Sequence, residues 1–287
     1  MLIMFPSDYF NTKQIDPMYA SEYEAVCKIP EFKTILFNHD AFVEDGAVKI
    51  YPKDYYTGEC ILRGWMLTPE QYSILHGHLS SKGMTLINTP EQYSACHLLP
   101  NVLPYIEKHT PKSLVFTQGT AIGWNIVNGT FKRFMVKDYV KSVKETNFPM
   151  FFETPVKADE MNRRIEEFTD HRGKLYTGGI VLREFVDFKR YGVVTNEYRA
   201  FYLRGQLLSI TRNSNQPENC PFIPQDFVNK FTNLPSDYYT VDFAELADGS
   251  WIVIEAGDGQ VSGLSPNQYI FKYYSDMREI VHNKNKT

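Results

Sequence analysis

Cysteine is sparse and scattered in this chain. Cys27, Cys60, Cys96 and Cys220 form no C-x-x-C pair, which argues against a structural zinc motif and against a disulfide framework. Reduced thiols in a cytoplasmic protein are the expectation. The glycine signatures G-x-x-x-x-G-K-[ST] and G-x-G-x-x-G are missing, and Gly257-Asp258-Gly259 is too short to stand for either. No H-E-x-x-H occurs, and His76 and His78, two apart on a helix-like stretch, do not share a face. These two, with His39, His97, His109, His171 and His282, are read as structural or exposed. Cys220, in the polar loop NSNQPENCP, has no identifiable base beside it and is not nominated as a nucleophile. No apolar run is long enough to span a bilayer, and the opening MLIMFPSDYF lacks the basic segment of a secretion signal, so it reads as a first strand. Excess positive charge is lacking too. Lys and Arg number 30 against 34 Asp and Glu, a net charge of −4, which argues against a nucleic-acid partner.

What the chain does have is material for a core. Hydrophobic residues make up 43% of 287, with 19 Tyr and 20 Phe, ample for two lobes sharing one contact surface. Strand-like and helix-like segments alternate through the first third: MLIMF, a helix near 17–27, KTILF, then ILRGWM and a helix from Thr68. That order predicts an α/β domain. The hexapeptide TPEQYS occurs at 68–73 and 89–94, each time after an apolar strand; Thr as N-cap and Pro at the first helical position explain both copies without a repeat architecture. Around 109–130 the periodicity loosens, and the boundary between lobes is placed near residue 112, dividing the chain into 1–112 and 113–287. FKRFMVKDYV then reads as a strand, and KSVKETNFPMFFET, with Lys141 and Lys144, as a mobile loop. Residues 156–168 have helical spacing, IVLREFVDF returns to β-type residues, and two hairpins precede a C-terminal helix whose Ile270, Tyr274, Met277 and Val281 form a stripe for packing on a sheet.

The segment YTVDFAELADGSWIVIEAGDGQ carries the most chemistry. Asp248-Gly249 is a pair favoured in two-residue type I′ loops. Placing Ala247 opposite Ser250 sets Leu246 against Trp251, Ala244 against Val253 and Asp242 directly against Glu255. Opposed like charges destabilise a sheet, so the two carboxylates require a compensating cation or a raised pKa. Mg²⁺ suits such a pair; a nearby Lys or Arg, or a slipped register, are the alternatives. The sign of an amide substitution separates them: repelling carboxylates gain stability when neutralised, carboxylates paired with a buried cation lose it. In the hairpin NEYRAFYLRGQLLSITR, a loop at Arg204-Gly205 makes Glu197 face Arg212, with Arg199 on the same face. This patch reads either as an exposed ion pair or as guanidinium forks for phosphate or carboxylate oxygens. Lys137, among apolar neighbours in RFMVKDY, either points outward or meets an anion such as phosphate.

Taken together, VKDYVKS, VLREFVDF, NEYRAFY, ITR, TVDFAEL and IVIEAGDGQVSGL resemble ATP-grasp proteins in order and spacing over roughly residues 113–270. More narrowly, the chain resembles the clade characterised by two arginines and a lysine, which includes a eukaryotic cell-division-cycle protein that helps assemble a translation initiation factor. The resemblance implies an α/β (α+β) ATP-grasp fold behind an N-terminal α/β domain, with ATP and Mg²⁺ as cofactors. It makes Arg199, Arg212 and Lys137 the clade residues, with Lys137 on ATP phosphates and Glu197 among the nucleotide-binding residues. It places Lys141 and Ser142 on a phosphate-covering loop and Glu184, Phe185 and Val186 in an inter-lobe hinge, near 184–188, along the adenine. Asp242 and Glu255 would hold Mg²⁺. Many ATP-grasp enzymes have Asn two residues after this Glu; here Gly257 stands there, and Asp258 would replace that ligand. The implied activity is a ligase that joins a small-molecule or peptide carboxylate to an amine through an acylphosphate, with an ATP-binding assembly factor or a kinase as alternatives. Substrate choice falls to the first lobe and to loops such as 213–224, with no membrane partner.

Overall fold

The structure, a computed structural model, describes residues 1–52, 57–143 and 147–283; Lys144 lies outside the described residues. The chain opens with β1 (Leu2–Pro6), α1 (Ala20–Cys27), β2 (Lys33–Phe37), α2 (His39–Asp45), β3 (Ile50–Tyr51), β4 (Gly58–Leu62), α3 (Pro69–Ser80), β5 (Met84–Leu86), α4 (Pro90–His97) and α5 (Leu99–Ile106). These strands form one sheet in the order β3-β2-β1-β4-β5, parallel except for β3. Both copies of TPEQYS start helices. Thr68 and Thr89 each accept from the backbone N–H of the Gln three residues on, and that Gln side chain returns the bond, satisfying two donors at each helix start.

Two further four-stranded sheets follow. The first takes β6 (Ser113–Thr117), β7 (Arg133–Lys137), β8 (Phe152–Glu153) and β9 (Gly179–Glu184) in the order β6-β9-β7-β8, with α6 (Trp124–Thr130) and α7 (Ala158–Arg172) on one face. The loosened stretch at 109–130 therefore holds an edge strand and a short helix, both too brief to show a period. After the small ribbon of β10 (Arg190–Tyr191) and β11 (Val194–Thr195) come β12 (Glu197–Leu203), β13 (Gln206–Arg212), α8 (Gln225–Val228), β14 (Tyr238–Glu245), β15 (Trp251–Asp258) and α9 (Ile270–Asn283), with the last sheet ordered β13-β12-β14-β15. Tyr273, Tyr274, Met277 and Val281 of α9 are buried against α1 and the Phe201, Leu203 and Tyr238 face of this sheet, as the apolar stripe requires. Among the described residues, no helix is long and apolar enough to cross a membrane.

Both hairpins differ in register from the sequence expectation, and in each the reason is one extra residue. Arg204 and Gly205 do form a two-residue loop, both with positive φ (51° and 74°). Leu208 then bulges, so Arg212 pairs with Tyr198 instead of Glu197, and Arg199 pairs with Thr211. Paired residues share a face and successive residues alternate, so Arg199 and Arg212 point to opposite faces of the sheet. In the other hairpin, Gly249 N–H bonds the Leu246 carbonyl and Leu246 N–H the Ser250 carbonyl, closing a three-residue loop with Gly249 at φ 86° instead of a type I′ turn. The near-turn pairs are therefore Glu245 with Trp251, Ala244 with Ile252 and Phe243 with Val253. Ile254 is then skipped, and Asp242 pairs with Glu255 after all.

The first lobe is tied to the last sheet by one buried guanidinium. Arg63, just beyond β4, donates to both Glu22 oxygens (2.9 and 3.2 Å) and to the carbonyls of Gly259 (2.7 Å) and Ser262 (2.9 Å). Removing one partner of such a buried pair leaves the other charge without compensation. Arg63→Met is expected to lower stability by about 3–5 kcal/mol, read as the shift in urea midpoint at unchanged slope; a shift under ~1 kcal/mol would show that the carbonyls and Glu22 find water instead.

Candidate functional site

The site forms where the last sheet meets β7 and β9. The ladder places Arg199 of β12 beside Asp242 of β14, and Asp242 beside Glu255 of β15. Arg199 grips Asp242 with a two-pronged fork, Nε to Oδ1 at 2.8 Å and Nη2 to Oδ2 at 2.7 Å, and its third nitrogen donates to the Gly263 carbonyl at 2.8 Å. Burial pushes the Asp242 carboxyl above its ordinary range, against the pull of Arg199. Glu255 goes the other way. Burial alone would raise it, but the surrounding Lys137, Lys141, Arg199 and Arg183 hold it below the usual carboxylate range.

The expected repulsion is present, Glu255 adding to burial in raising Asp242, but in the metal-free protein it does not stand uncompensated. Each meets a cation supplied by another element, β12 for Asp242 and the turn after β7 for Glu255, which no reading confined to the β14–β15 hairpin includes. Four cations face two carboxylates, and the surplus positive charge suits a polyanion.

That turn is built by Asp138. Its buried carboxylate accepts from the backbone N–H of Val140 (2.7 Å) and Lys141 (2.6 Å) and from Arg172 Nε at the end of α7 (2.7 Å). Lys137, ahead of it, is buried, its side chain on the face of β7 that carries Met135 and, across the ladder, Val181 and Arg183. Burial lowers its pKa to about 8, while Glu255 pulls it back up. Among the described residues no carboxylate lies within ion-pairing distance of its ammonium, so the inward-facing alternative holds and the anion it calls for is not supplied by these residues. Lys141 Nζ stands 3.6 Å from Glu255 Oε1, and Ser142 folds back to bridge Lys137. At the far end of the same ladder Glu184 pairs with Phe134, three positions from Lys137, or about 10 Å at the strand rise. Phe185 packs on Phe151 with ring centroids 4.5 Å apart, the Arg133 guanidinium covers both rings, and Val186 is half-buried.

Two expected residues are not brought into this cluster, and a third lines its cleft with the carboxylate committed elsewhere. Arg212, on the opposite face, donates to the Glu218 carbonyl (2.8 Å) and lies over the Phe222 ring. Glu197 accepts from Thr195. Asp258 is three residues beyond Glu255, hence on the other face, and is fully buried. Its oxygens take the Asn88 side-chain amide and the Gln260 N–H (2.9 Å), and burial raises its pKa to about 7. Two residues were missed by sequence reasoning. Arg183, buried in β9, sends its guanidinium to β15, and the only signal was a charged residue inside the apolar run IVLREF. His97 ends α4, stacks on Tyr93 and lines the cleft together with Met66, Lys141, Arg199, Asp242 and Glu255; burial lowers its pKa to about 4, so it is neutral near pH 7.

The donor set fits a hard divalent ion. Among the described residues no group of three or more His, Cys, Asp and Glu side chains could hold a metal, which excludes a zinc-type cage. Two adjacent carboxylates are what Mg²⁺ takes from a protein when phosphate oxygens and water complete its shell.

Comparison with known proteins gives the family and the fold. A family model described as an ATP-grasp domain, family 3 of the clade named for two arginines and a lysine, matches residues 121–281, more than half of the chain. Among solved structures, D-alanyl-alanine synthetase A from Vibrio cholerae is similar over 98% of this chain and 97% of its own, at 11% identity and TM-score 0.62. D-cycloserine synthetase DcsG is similar over 98% and 100%, at 14% identity and TM-score 0.62. The ATP-grasp ligase PsnB, complexed with a minimal precursor, is similar over 97% and 98%, at 11% identity and TM-score 0.61. At these identities the likeness shows the fold, which is ATP-grasp. A search of curated proteins finds no match.

Two outcomes follow from the electrostatics. Asp242→Asn leaves the buried Arg199 fork without its anion, so the metal-free variant is expected to be less stable by about 2–3 kcal/mol, seen as a lower thermal midpoint; a gain in stability would restore the repulsion reading. Asp258 has a folded pKa near 7, above the unfolded value, so its contribution is full below about pH 4 and is lost as pH rises towards 7. Melting curves of wild type and Asp258→Asn between pH 4 and 8 should show the difference shifting in the variant's favour with rising pH, whereas a constant offset would mean that Asp258 stays ionised throughout.

Proposed function

Because the chain belongs to the ATP-grasp domain family, in family 3 of the clade named for two arginines and a lysine, we propose that it is an ATP- and Mg²⁺-dependent ligase that activates a substrate carboxylate for attack by an amine. The observation that carries this reading is the cluster in which Lys137, Lys141, Arg183 and Arg199 surround Asp242 and Glu255. Such a site binds a polyphosphate and a divalent ion together, and neither alone balances its charge. The cleft between these residues holds about 90 Å³, a few waters' worth, so it is the phosphate and metal end of the site. The adenine lies towards Glu184, Phe185 and Val186, at the distance along the β7–β9 ladder that a nucleotide spans. The nucleotide then sits within 113–287, between the sheet of Lys137 and the two hairpins, with 184–188 as the hinge between the two subdomains and 1–112 as the domain ahead of them.

Asp242 and Glu255 hold Mg²⁺, each keeping lone pairs free beside its cation contacts; the bound ion supplies charge neutralisation at the phosphate oxygens. Lys137 and Lys141 bind those oxygens, with Ser142 on the same turn, and Arg199 orients the reacting carboxylate. The substrate carboxylate oxygen attacks the γ-phosphorus and ADP leaves; the amine then attacks the acyl carbon of the acylphosphate so formed, displacing inorganic phosphate and losing a proton as the amide forms. Arg212 acts at the base of loop 213–224, which its contacts to Glu218 and Phe222 order, and that loop with the first lobe selects a small-molecule or peptide carboxylate and its amine. Glu197 belongs to the same strand end. Asp258 is assigned to holding β15 against the first lobe instead of to the metal. Four free cysteines suit a cytoplasmic, reducing setting.

The test is release of phosphate and ADP from Mg²⁺-ATP over panels of amino acids, short peptides and amines, with product masses. Glu255→Gln and Lys137→Met should fold and lose turnover by ~100-fold or more. Turnover surviving in both would sink the assignment. A phosphorylated product that forms without any amine would identify a kinase, and nucleotide binding with no turnover on any panel would identify an ATP-binding assembly factor.

A further inference from the structure

The pairing of Asp242 with Glu255 depends on Ile254 being skipped in β15. Continued without that extra residue, the near-turn register would set Asp242 opposite Ile254 and Glu255 opposite Val241, turning Glu255 to the other face of the sheet. Nothing in the local sequence VIEAG compels a bulge: no glycine or proline stands at Ile254. β15 is the edge strand of its sheet, and the carbonyls at the bulge are claimed by two side chains from outside that sheet. Arg183 Nη1 donates to the Ile254 carbonyl at 2.6 Å, and Nη2 donates to the Val253 carbonyl at 3.3 Å and to Thr110 Oγ1 at 2.6 Å. Thr110 in turn donates to the Val253 carbonyl at 2.8 Å.

Arg183 is buried and, among the described residues, has no carboxylate within ion-pairing distance, while its Nε is buried without a partner. A guanidinium is expensive to bury, and here its charge is answered by the field of Glu255 and its donors by the carbonyls of Val253 and Ile254.

We propose that Arg183 is a positioning residue for the metal pair: its fork, with Thr110, fixes the β15 bulge and so holds Glu255 on the face of Asp242. The planar fork matters because two carbonyls and a hydroxyl are held at once, which a lysine ammonium on a flexible stem does not reproduce. Arg183 reaches the bulge from β9, the strand that leads into Glu184 and Phe185, so the same residue sets the relative placement of the nucleotide-facing strand and the metal-bearing strand.

This inference rests on reading Asp242 and Glu255 as metal ligands, and the experiment separates the two. Binding of ADP is measured by calorimetry with Mg²⁺ and with EDTA for wild type, Arg183→Met, Arg183→Lys and Thr110→Val, beside amide hydrogen exchange across 251–258 in the metal-free proteins. Expected is a loss of the Mg²⁺-dependent gain in affinity, read as each variant's own ratio of Mg²⁺ to EDTA affinity, by ~10-fold or more in Arg183→Met, partly recovered in Arg183→Lys and smallest in Thr110→Val, the last with an EDTA affinity within ~3-fold of wild type. Exchange at Glu255 and Ala256 should quicken in the same order. Wild-type Mg²⁺ dependence in folded Arg183→Lys and Arg183→Met, or unchanged exchange at 255–256, overturns the positioning role. A wild type indifferent to Mg²⁺ overturns the metal reading instead, and exchange then still decides whether Arg183 holds the bulge. Should Arg183→Met fail to fold, the lysine and Thr110 variants carry the same comparison.

Discussion

One extra residue in β15, Ile254, decides which face of the last sheet carries Glu255, and with it whether the proposed metal pair comes together. Side chains along a strand alternate, so a single skipped position exchanges the two faces for everything beyond it. Up to Phe243 and Val253 the hairpin runs in one register; beyond them Asp242, Val241 and Thr240 run in the next. The change puts Glu255 beside Asp242, keeps Gly257 next to Thr240 where the cleft needs a residue without a side chain, and leaves Asp258 on the face that meets Asn88. The bulge's carbonyls are satisfied from β9 and Thr110, so the geometry of one sheet is set by a residue of another.

The charges are arranged on the same plan. Each carboxylate here is answered by an element other than its own: Asp242 by β12, Glu255 by the turn after β7, and Asp138, which shapes that turn, by α7. Low dielectric makes such pairs strong and makes a missing partner costly. Away from the site, Arg63 with Glu22, and Asp258 with Asn88 and Gln260, fasten the first lobe to the loop after β15, so the lobe that supplies Met66 and His97 to the cleft has a fixed orientation.

Local chemistry was legible in the residues themselves. Thr-Pro-Glu-Gln starts two helices because the cap and its reciprocal Gln lie within four residues of each other. Arg204-Gly205 closes its hairpin with both φ values positive, and the stripe of α9 is buried where its spacing placed it. Lys137 in an apolar strand is buried, a choice between outward and inward that its neighbours alone left open. Asp242 and Glu255 do face each other, although by way of a three-residue loop and a bulge that cancel instead of by a type I′ turn.

By itself, then, the sequence determined the α/β order of elements, the helix starts and the hairpins, because propensity, capping and turn chemistry act over a few residues. Only the tertiary structure decided that Arg212 turns away from Arg199, that the carboxylates are paired with cations, that Asp258 serves the lobe contact, and that Arg183 and His97 belong to the site. Each of those depends on a bulge or on a contact between residues tens to hundreds of positions apart. In an antiparallel sheet one unpaired residue reverses the facing of all that follow, and no local pattern in β13 or β15 marks where that residue will be.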